Sequence, residues 1–335
     1  MRFWCSAVEE PWSWTPRPYI GVWLLVVGIA AAYWTAWRRH RSEYEPLDGD
    51  RKYMWRFAGG IFFLWVASDW PVGTLGGGYL ASVHMFQWML YTFAAAPLLM
   101  LGTPEWMAQA VLEKLRLRNV WLVLSRPLIA FAVGNVILVA THSPSGVDFL
   151  RASQVGSFLM DMVWLVAGFV LWAPVINPIR EAVCKSDPIR IVYLFFAVAI
   201  MPMIPGAFIT FSPTPLYETY ELAPRLGLSP VHDQQLAGVV MKLGSIPIVW
   251  SAMGVIWFRW YQKDNVRPAH RREPVRRADI NLASEDPDDP SSADTEPSHT
   301  GPSQTDPSQT DPSDRDAAES GTAGRPGGAS SVANR

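Results

Sequence analysis

The sequence predicts an all-α protein that crosses a membrane about seven times, and three observations support this fold class. Half of the 335 residues are apolar and only 17% are charged, a composition too apolar for an ordinary soluble enzyme. The apolar residues are grouped in runs long enough to cross a hydrocarbon core of about 30 Å. The basic residues are concentrated in alternate loops between these runs. Together these features predict a polytopic helix bundle.

The composition changes near residue 264. The segment from 264 to 335 is dominated by Pro, Ser, Asp, Thr, Gly and Arg, and it contains a short Pro-Ser-Gln-Thr-Asp repeat that begins at Pro302. Such a segment cannot bury enough apolar surface to offset its loss of conformational entropy. We therefore predict a multi-pass membrane domain over residues 1–263 and a disordered tail over residues 264–335.

Seven apolar runs are candidates for membrane spans. They lie at approximately 18–37, 54–70, 79–102, 126–142, 156–177, 190–211 and 232–260. The stretch 104–120 mixes Glu, Lys and Arg with Leu, which predicts an interfacial helix. Pro202 and Pro205 in the sixth run, and Gly244 with Pro247 in the seventh, predict kinked or loosened helices.

The positions of Lys and Arg predict the orientation. Basic residues cluster after the first, third, fifth and last runs, whereas the loops 71–78, 143–155 and 212–231 contain at most one basic residue each. By the positive-inside rule, the N-terminus lies outside and the tail lies in the cytoplasm. The segment before the first run carries Glu9 and Glu10 where a cleavable signal peptide would carry basic residues.

Several classes of function lack their residues. A net charge of −2 with no basic face argues against a nucleic-acid partner. The sequence has no glycine-rich phosphate loop, no nucleophile elbow and no Cys-x-x-Cys, so it offers no NTPase, hydrolase or thiol-redox motif. Its two cysteines, Cys5 and Cys184, are predicted on opposite sides of the membrane and could not pair. We expect no enzymatic activity.

Polar side chains at membrane depth are costly, so each one needs a partner or a function. His84, His142 and His232 lie at the predicted outer ends of the third, fourth and seventh runs. Met85 follows His84, and Asp161 lies early in the fifth run. Because imidazole suits copper, zinc and iron, and thioether suits copper(I), these five residues are candidate copper ligands.

Asp233 and Gln234 directly follow His232, and we expect them to orient the ligands by hydrogen bonds. Purely structural roles are the alternative, because polar residues near helix ends also bond to other helices or to loop backbone. His142, in Thr141-His-Ser-Pro, could cap a helix end, and Asp233 could serve as an N-cap. The residue types leave both readings open.

Four segments resemble a known family. Ser82-Val-His84-Met85-Phe-Gln87-Trp-Met-Leu is similar to a motif of the CtaG-like, caa-type cytochrome c oxidase assembly factors. Thr141-His142-Ser-Pro, Gly168-Phe-Val-Leu-Trp172-Ala-Pro174 and Asp233-Gln-Gln-Leu-Ala-Gly238 resemble further motifs of that family in the same order. The resemblance covers roughly residues 20–260.

This resemblance implies a multi-pass protein of the bacterial plasma membrane that helps a haem-copper oxidase mature, by handling copper for the active centre. Its implied partners are oxidase subunits and the lipid bilayer. Two positions depart from the family pattern. The family usually has His-Met-x-Gln-His, where this chain has Trp88 at the last position, and a His is usual in the fifth span, where this chain has Asp161.

Two other functions are compatible with the sequence. Kinked sixth and seventh helices with the intramembrane Lys242 could line a path for copper or protons, although no inverted repeats are evident. A scaffold that binds oxidase subunits without any metal is the other alternative. The location of His84, His142 and His232 discriminates between these functions, because convergence supports metal handling and dispersal supports the scaffold.

Overall fold

The computed structural model describes residues 2–7, 10–44 and 50–282, with side chains up to residue 264. Throughout these segments every regular element is helical, which confirms the predicted all-α class. The α-helices in chain order are α1 (Ile20–Glu43), α2 (Asp50–Ser68), α3 (Val72–Gly78), α4 (Ala81–Met89), α5 (Ala96–Gly102), α6 (Glu105–Lys114), α7 (Arg118–Leu124), α8 (Pro127–His142), α9 (Pro144–Arg151), α10 (Gln154–Trp172), α11 (Asp187–Tyr193), α12 (Met203–Phe211), α13 (Glu218–Glu221), α14 (Pro230–Gly244) and α15 (Ile246–Leu282).

Five helical segments of the described chain are long and apolar enough to cross a membrane. They are Ile20–Glu43, Ala81–Gly102, Gln154–Trp172, Asp187–Phe211 and Pro230–Asp264. The pair α7 and α8, bent by 88°, makes a sixth if it is one span. The predicted second span lies in α2, where any window of 18 residues includes Arg51, Lys52 and Arg56. The count of seven spans and the orientation therefore stay predictions.

Two of the long helices contain a π-helical segment. Leu90–Ala95 joins α4 to α5, and Leu194–Ile200 precedes the turn before α12. The indole of Trp172 donates to the carbonyl oxygen of Thr92 inside the first π segment at 2.9 Å. A Cβ at Gly168 would lie 3.0 Å from Thr92 Cα, so glycine lets α10 pack closely against this segment. Such π segments often accompany functional sites.

The predicted irregularities near Pro202 and Gly244 are present. A turn at residues 201–202 separates the second π segment from α12, and Ser245 separates α14 from α15. In the stretch 104–120 the chain forms α6 and the start of α7 rather than one helix. The helix α15 continues to residue 282, beyond the predicted boundary at 264, and residues 283–335 lie outside the described part of the chain. The disordered tail stays a prediction.

The N-terminal segment and the three loops predicted to lie outside contact one another. The backbone N–H of Ala7 donates to the carbonyl oxygen of Arg151 at the end of α9. The Asp148 carboxylate of α9 accepts from the backbone N–H of Thr219 in α13 at 2.9 Å. The Tyr220 hydroxyl of α13 donates to the carbonyl oxygen of Gly76 in α3 at 2.6 Å. These contacts place α3, α9 and α13 together over one end of the spanning helices, which we call the α13 end.

Candidate metal site

The helix that carries His84 is fixed at its N-terminus by another helix. The Asp233 carboxylate of α14 accepts from the backbone N–H groups of Ala81 and Ser82, at 2.6 and 3.2 Å, and from the Ser82 hydroxyl. These are N–H groups that the first turn of α4 cannot satisfy itself, and a carboxylate also interacts favourably with the helix dipole. Asp233 thus caps α4 from a distance and sets the position of His84. The N-cap of its own helix is Ser229.

His142 is the last residue of α8, and the residues after it explain why. Pro144 disfavours helical backbone at the residue before it, and Ser143 is extended with ψ of 145°. The Ser143 side chain then accepts from the Gly146 backbone N–H and caps α9. The Thr141-His142-Ser-Pro motif therefore ends one helix and begins the next, and it leaves the His142 ring at the junction.

The hydrogen bonds of Tyr220 assign the tautomer of His84. Burial raises the pKa of the Tyr220 phenol well above its usual value, so the phenol stays protonated. It has one proton, which it donates to the Gly76 carbonyl oxygen. At 2.8 Å from His84 Nδ1 the phenol oxygen can then only accept. The His84 proton therefore lies on Nδ1, and Nε2 carries a lone pair.

The tautomer of His142 follows from the same reasoning. Its Nδ1 lies 2.9 Å from the carbonyl oxygen of Leu138, which can only accept a hydrogen bond. The proton of His142 is therefore on Nδ1 as well, and its Nε2 is unprotonated. Metal-binding histidines characteristically donate one ring N–H to a carbonyl, carboxylate or other acceptor while the second nitrogen binds the metal.

Both Nε2 atoms are buried and have no hydrogen-bond partner among the described residues. The two rings lie close together, with centroids 6.3 Å apart and planes at 65°. The Trp164 ring packs against both, with its centroid 4.8 Å from the centroid of the His84 ring and 5.7 Å from that of the His142 ring. The centroids of the Trp88 and His142 rings are 5.1 Å apart. The result is a buried, aromatic-walled site with two unprotonated imidazole nitrogens, which we call the histidine pair.

A buried ion pair lies next to the histidine pair. Arg151 Nη2 donates to Asp161 Oδ1 at 2.9 Å and to Gln87 Oε1 at 3.1 Å, and both charged side chains are completely buried. The indole of Trp4 donates to the other Asp161 oxygen at 2.8 Å. The Asp161 carboxylate therefore accepts hydrogen bonds from the Arg151 guanidinium and from the Trp4 indole. The guanidinium supplies the cation that a buried carboxylate requires.

The histidine pair includes two of the five predicted ligands. His232 is exposed in the first turn of α14, and Met85, although buried, points about 100° around α4 from its neighbour His84. Asp161 is bonded to Arg151 instead of approaching the imidazoles. Among the residues whose side chains are described, no three His, Cys, Asp or Glu groups form a metal-binding cluster.

Gln234, predicted to orient a ligand, instead forms hydrogen bonds to the segment that leads to α13. Its side-chain oxygen accepts from the backbone N–H of Leu216 at 2.6 Å, and its amide donates to the carbonyl oxygens of Ile209 and Thr214. Directly after this anchor, the Tyr217 hydroxyl donates to the His142 carbonyl oxygen at 2.9 Å. Gln234 thus fixes the segment whose tyrosines contact both histidine helices.

Sequence reasoning missed three residues that shape the site: Arg151, Trp164 and Tyr220. Arg151 carried a usable signal, because it is the only basic residue of an otherwise neutral or acidic loop and lies ten residues before a buried Asp161. Trp164 looked like one more apolar helix residue. Tyr220 lies in a polar loop, and its contact with His84 exists only in the folded protein.

The comparisons with known proteins identify the family. The model described as cytochrome c oxidase caa3 assembly factor (Caa3_CtaG) matches residues 31–263, a segment that contains the histidine pair and both residues of the buried ion pair. No curated protein and no solved structure matches the chain. Because the matched segment is more than half of the chain and confirms the resemblance of the motifs, this protein belongs to the cytochrome c oxidase caa3 assembly factor family.

Proposed function

We propose that this protein supports the assembly of a haem-copper oxidase in the bacterial plasma membrane by holding copper(I) at the histidine pair and passing it to an oxidase subunit. The observation that carries the proposal is the pair of buried, unprotonated Nε2 atoms on His84 and His142. A buried polar atom without a partner is costly and requires an explanation, and two such imidazole nitrogens side by side are explained by a metal ion that both bind.

The distance between the rings is compatible with one shared ion. A metal–nitrogen bond of about 2 Å to each ring requires ring centroids roughly 6 Å apart when the ion lies between them. The observed separation is 6.3 Å. The hydrogen bonds at both Nδ1 atoms hold the rings so that little reorganisation is needed on binding.

The number of ligands favours copper(I) over zinc. Structural zinc sites use four protein ligands, and catalytic sites use three with a water. Two imidazoles in a buried, aromatic-walled environment suit copper(I), which is stable with few ligands and is the softer ion. A site with so few ligands also releases its ion readily, as delivery to another protein requires. Asp233 and Gln234 contribute by fixing α4 and the α13 segment.

The functional face would be the α13 end, which the charge pattern assigns to the outside of the cell. Delivery there would require no transport across this protein. Lys242, the residue that suggested a transport path, is partly exposed with its ammonium group 4.9 Å from the Phe211 ring centroid. That position is typical of a lysine that packs its stem on apolar surface, and it gives no support to a transport path.

The test is copper(I) binding by the purified full-length protein in detergent, measured by competition with a chromogenic chelator. We expect about one copper per chain for the wild type and none for His84→Ala combined with His142→Ala. His232→Ala is the matched control, since His232 is exposed and should leave binding unchanged. If the wild type binds no more copper than the double variant, copper handling is wrong and a metal-free scaffold becomes the function to pursue.

A further inference from the structure

The buried guanidinium of Arg151 has donors that its known partners do not use. Its Nη2 group serves Asp161 and Gln87, whereas Nε and Nη1 are buried without an acceptor among the described residues. The hydroxyl of Ser157, one turn before Asp161 on α10, also lacks a partner there. Unused N–H groups on a buried cation are costly, which points to an acceptor that binds at this position.

These donors lie beside the histidine pair. Arg151 Cζ is 5.2 Å from the centroid of the Trp164 ring, the same ring that contacts His84 and His142. Gln87, which accepts from Arg151, is three residues after His84 and therefore on the same face of α4. One compact region thus contains unused donors of a cation and unused lone pairs of two imidazoles.

The charges of this region are balanced before any ion binds. Arg151 and Asp161 cancel each other, and both histidines are neutral, because a buried imidazolium without an anionic partner would be costly. Asp233 is held by two backbone N–H groups and a hydroxyl at the positive end of the α4 dipole. A copper(I) ion bound alone would add one positive charge to a fully buried site, which is unfavourable in a medium of low dielectric constant.

We propose that Arg151 binds a small monovalent anion of the halide type, chloride in the cell, which enters with copper(I) and becomes its third ligand beside His84 and His142. The inference rests on the proposed function and deepens it. Copper(I) exchanges the ligands of its carrier for two imidazoles and the anion, the anion gives up its hydrating water, and no electron or proton is transferred, so that the two ions together add no net charge. Arg151 Nε–H and Nη1–H would donate to the anion and so gain the acceptors they lack.

The experiment is copper K-edge X-ray absorption on the full-length protein loaded with copper(I), in sodium bromide and in sodium methanesulfonate of equal ionic strength. Bromide is the probe because it scatters strongly beside copper. We expect two imidazole nitrogens and one bromide around copper in the first buffer, and no bromide in the second. Two nitrogens without bromide in both buffers would overturn the anion site and leave the proposed function intact. A wild type that binds no copper would overturn both.

A charge-neutral variant tests the assignment to Arg151. Arg151→Gln combined with Asp161→Asn removes both charges, so that no unpaired charge is left buried. By the charge argument above, this variant should bind copper less tightly, still through both imidazoles when copper is saturating, and should lose the bromide signal. Arg118→Gln combined with Glu181→Gln, at an exposed ion pair, is the matched control and should keep bromide. Bromide retained beside copper in the buried-pair variant would show that Arg151 is not the anion-binding residue.

Discussion

The two ends of the helix bundle use charge in different ways. At the α13 end, Arg151 and Asp161 form an ion pair in which both side chains are completely buried, next to two buried imidazoles. At the opposite end, Arg118 and Glu181 form an ion pair between the loops that follow the third and fifth apolar runs. The Arg118 side chain is 42% exposed and the Glu181 side chain is 51% exposed. Exposed pairs contribute little to stability, whereas a buried pair costs desolvation and is sensitive to the loss of either partner. Among the described ion pairs, the one in which both side chains are completely buried lies at the end where we place the function.

The largest expected effect is on stability and concerns the buried pair. Arg151→Gln leaves the Asp161 carboxylate buried without its cation, and we expect a loss of about 3–5 kcal/mol in the free energy of unfolding. Adding Asp161→Asn should recover most of that loss. Chemical denaturation in detergent measures both. The contrast between the two ends would be wrong if Arg151→Gln destabilised the protein no more than Arg118→Gln.

The next effect is on metal affinity and concerns Tyr220. Tyr220→Phe removes the acceptor of the His84 Nδ1–H, so that the tautomer is no longer fixed, and copper(I) affinity should fall by about 10–100-fold. Tyr33→Phe is the matched control, because Tyr33 is also buried and donates to a glycine carbonyl, that of Gly102, at 2.9 Å.

Two measurements check this prediction together. Chelator competition gives the affinity, and the ¹⁵N chemical shifts of the His84 ring give the tautomer. A merely structural role for Tyr220 would lower affinity without changing the proportion of Nδ1-protonated imidazole. Equal copper affinity in the Tyr220→Phe and Tyr33→Phe proteins would contradict the role we assign to Tyr220.

A smaller effect is expected where the chain departs from its family. The Trp88 ring lies 5.1 Å from the His142 ring, so Trp88→His would place a third imidazole at the histidine pair. We expect about a tenfold gain in copper(I) affinity and detectable binding of zinc, which needs more ligands than two. Trp121→His, at a partly buried tryptophan bonded to Asn177, is the control. Unchanged affinities for both metals would mean that position 88 does not face the ion.

The smallest effect is expected in the exposed ion pair. Arg118→Gln should change the free energy of unfolding by about 0–1 kcal/mol, and the change should shrink further at high salt because solvent ions screen exposed charges. Denaturation at low and high ionic strength measures this. A loss of several kcal/mol that is independent of salt would show that charge is used in the same way at both ends.

Much of the architecture could be predicted from the sequence, because apolar runs of spanning length are a local property. The rule that buried polar groups need a reason also selected His84 and His142. It could not separate them from His232, since all three lie near the end of an apolar run. The difference is tertiary: α14 begins at a Ser229 cap and leaves His232 exposed, while α4 and α8 bring the other two rings together.

The burial of Arg151 illustrates how weak a signal the sequence can give, because only its isolation among the residues of its loop sets it apart. A single arginine in a short loop reads as a solvated residue, yet it is completely buried, because α9 packs against α10 and brings its last residue to Asp161. The two departures from the family pattern also become interpretable only in three dimensions. Trp88 lies against His142 as part of the wall of the site, and Asp161 has its own cation.

Tyr217 and Tyr220 connect the surface of the protein to its interior. They are three residues apart, and each forms a hydrogen bond to a different histidine-bearing segment, one to the backbone of His142 and one to the ring of His84. An outward displacement of α13 would break both bonds in one movement, freeing the α8 end and removing the acceptor of the His84 proton together. A partner that binds at the exposed Leu222 beside α13 and displaces this helix would thus alter the hydrogen bonds at both histidine-bearing segments together.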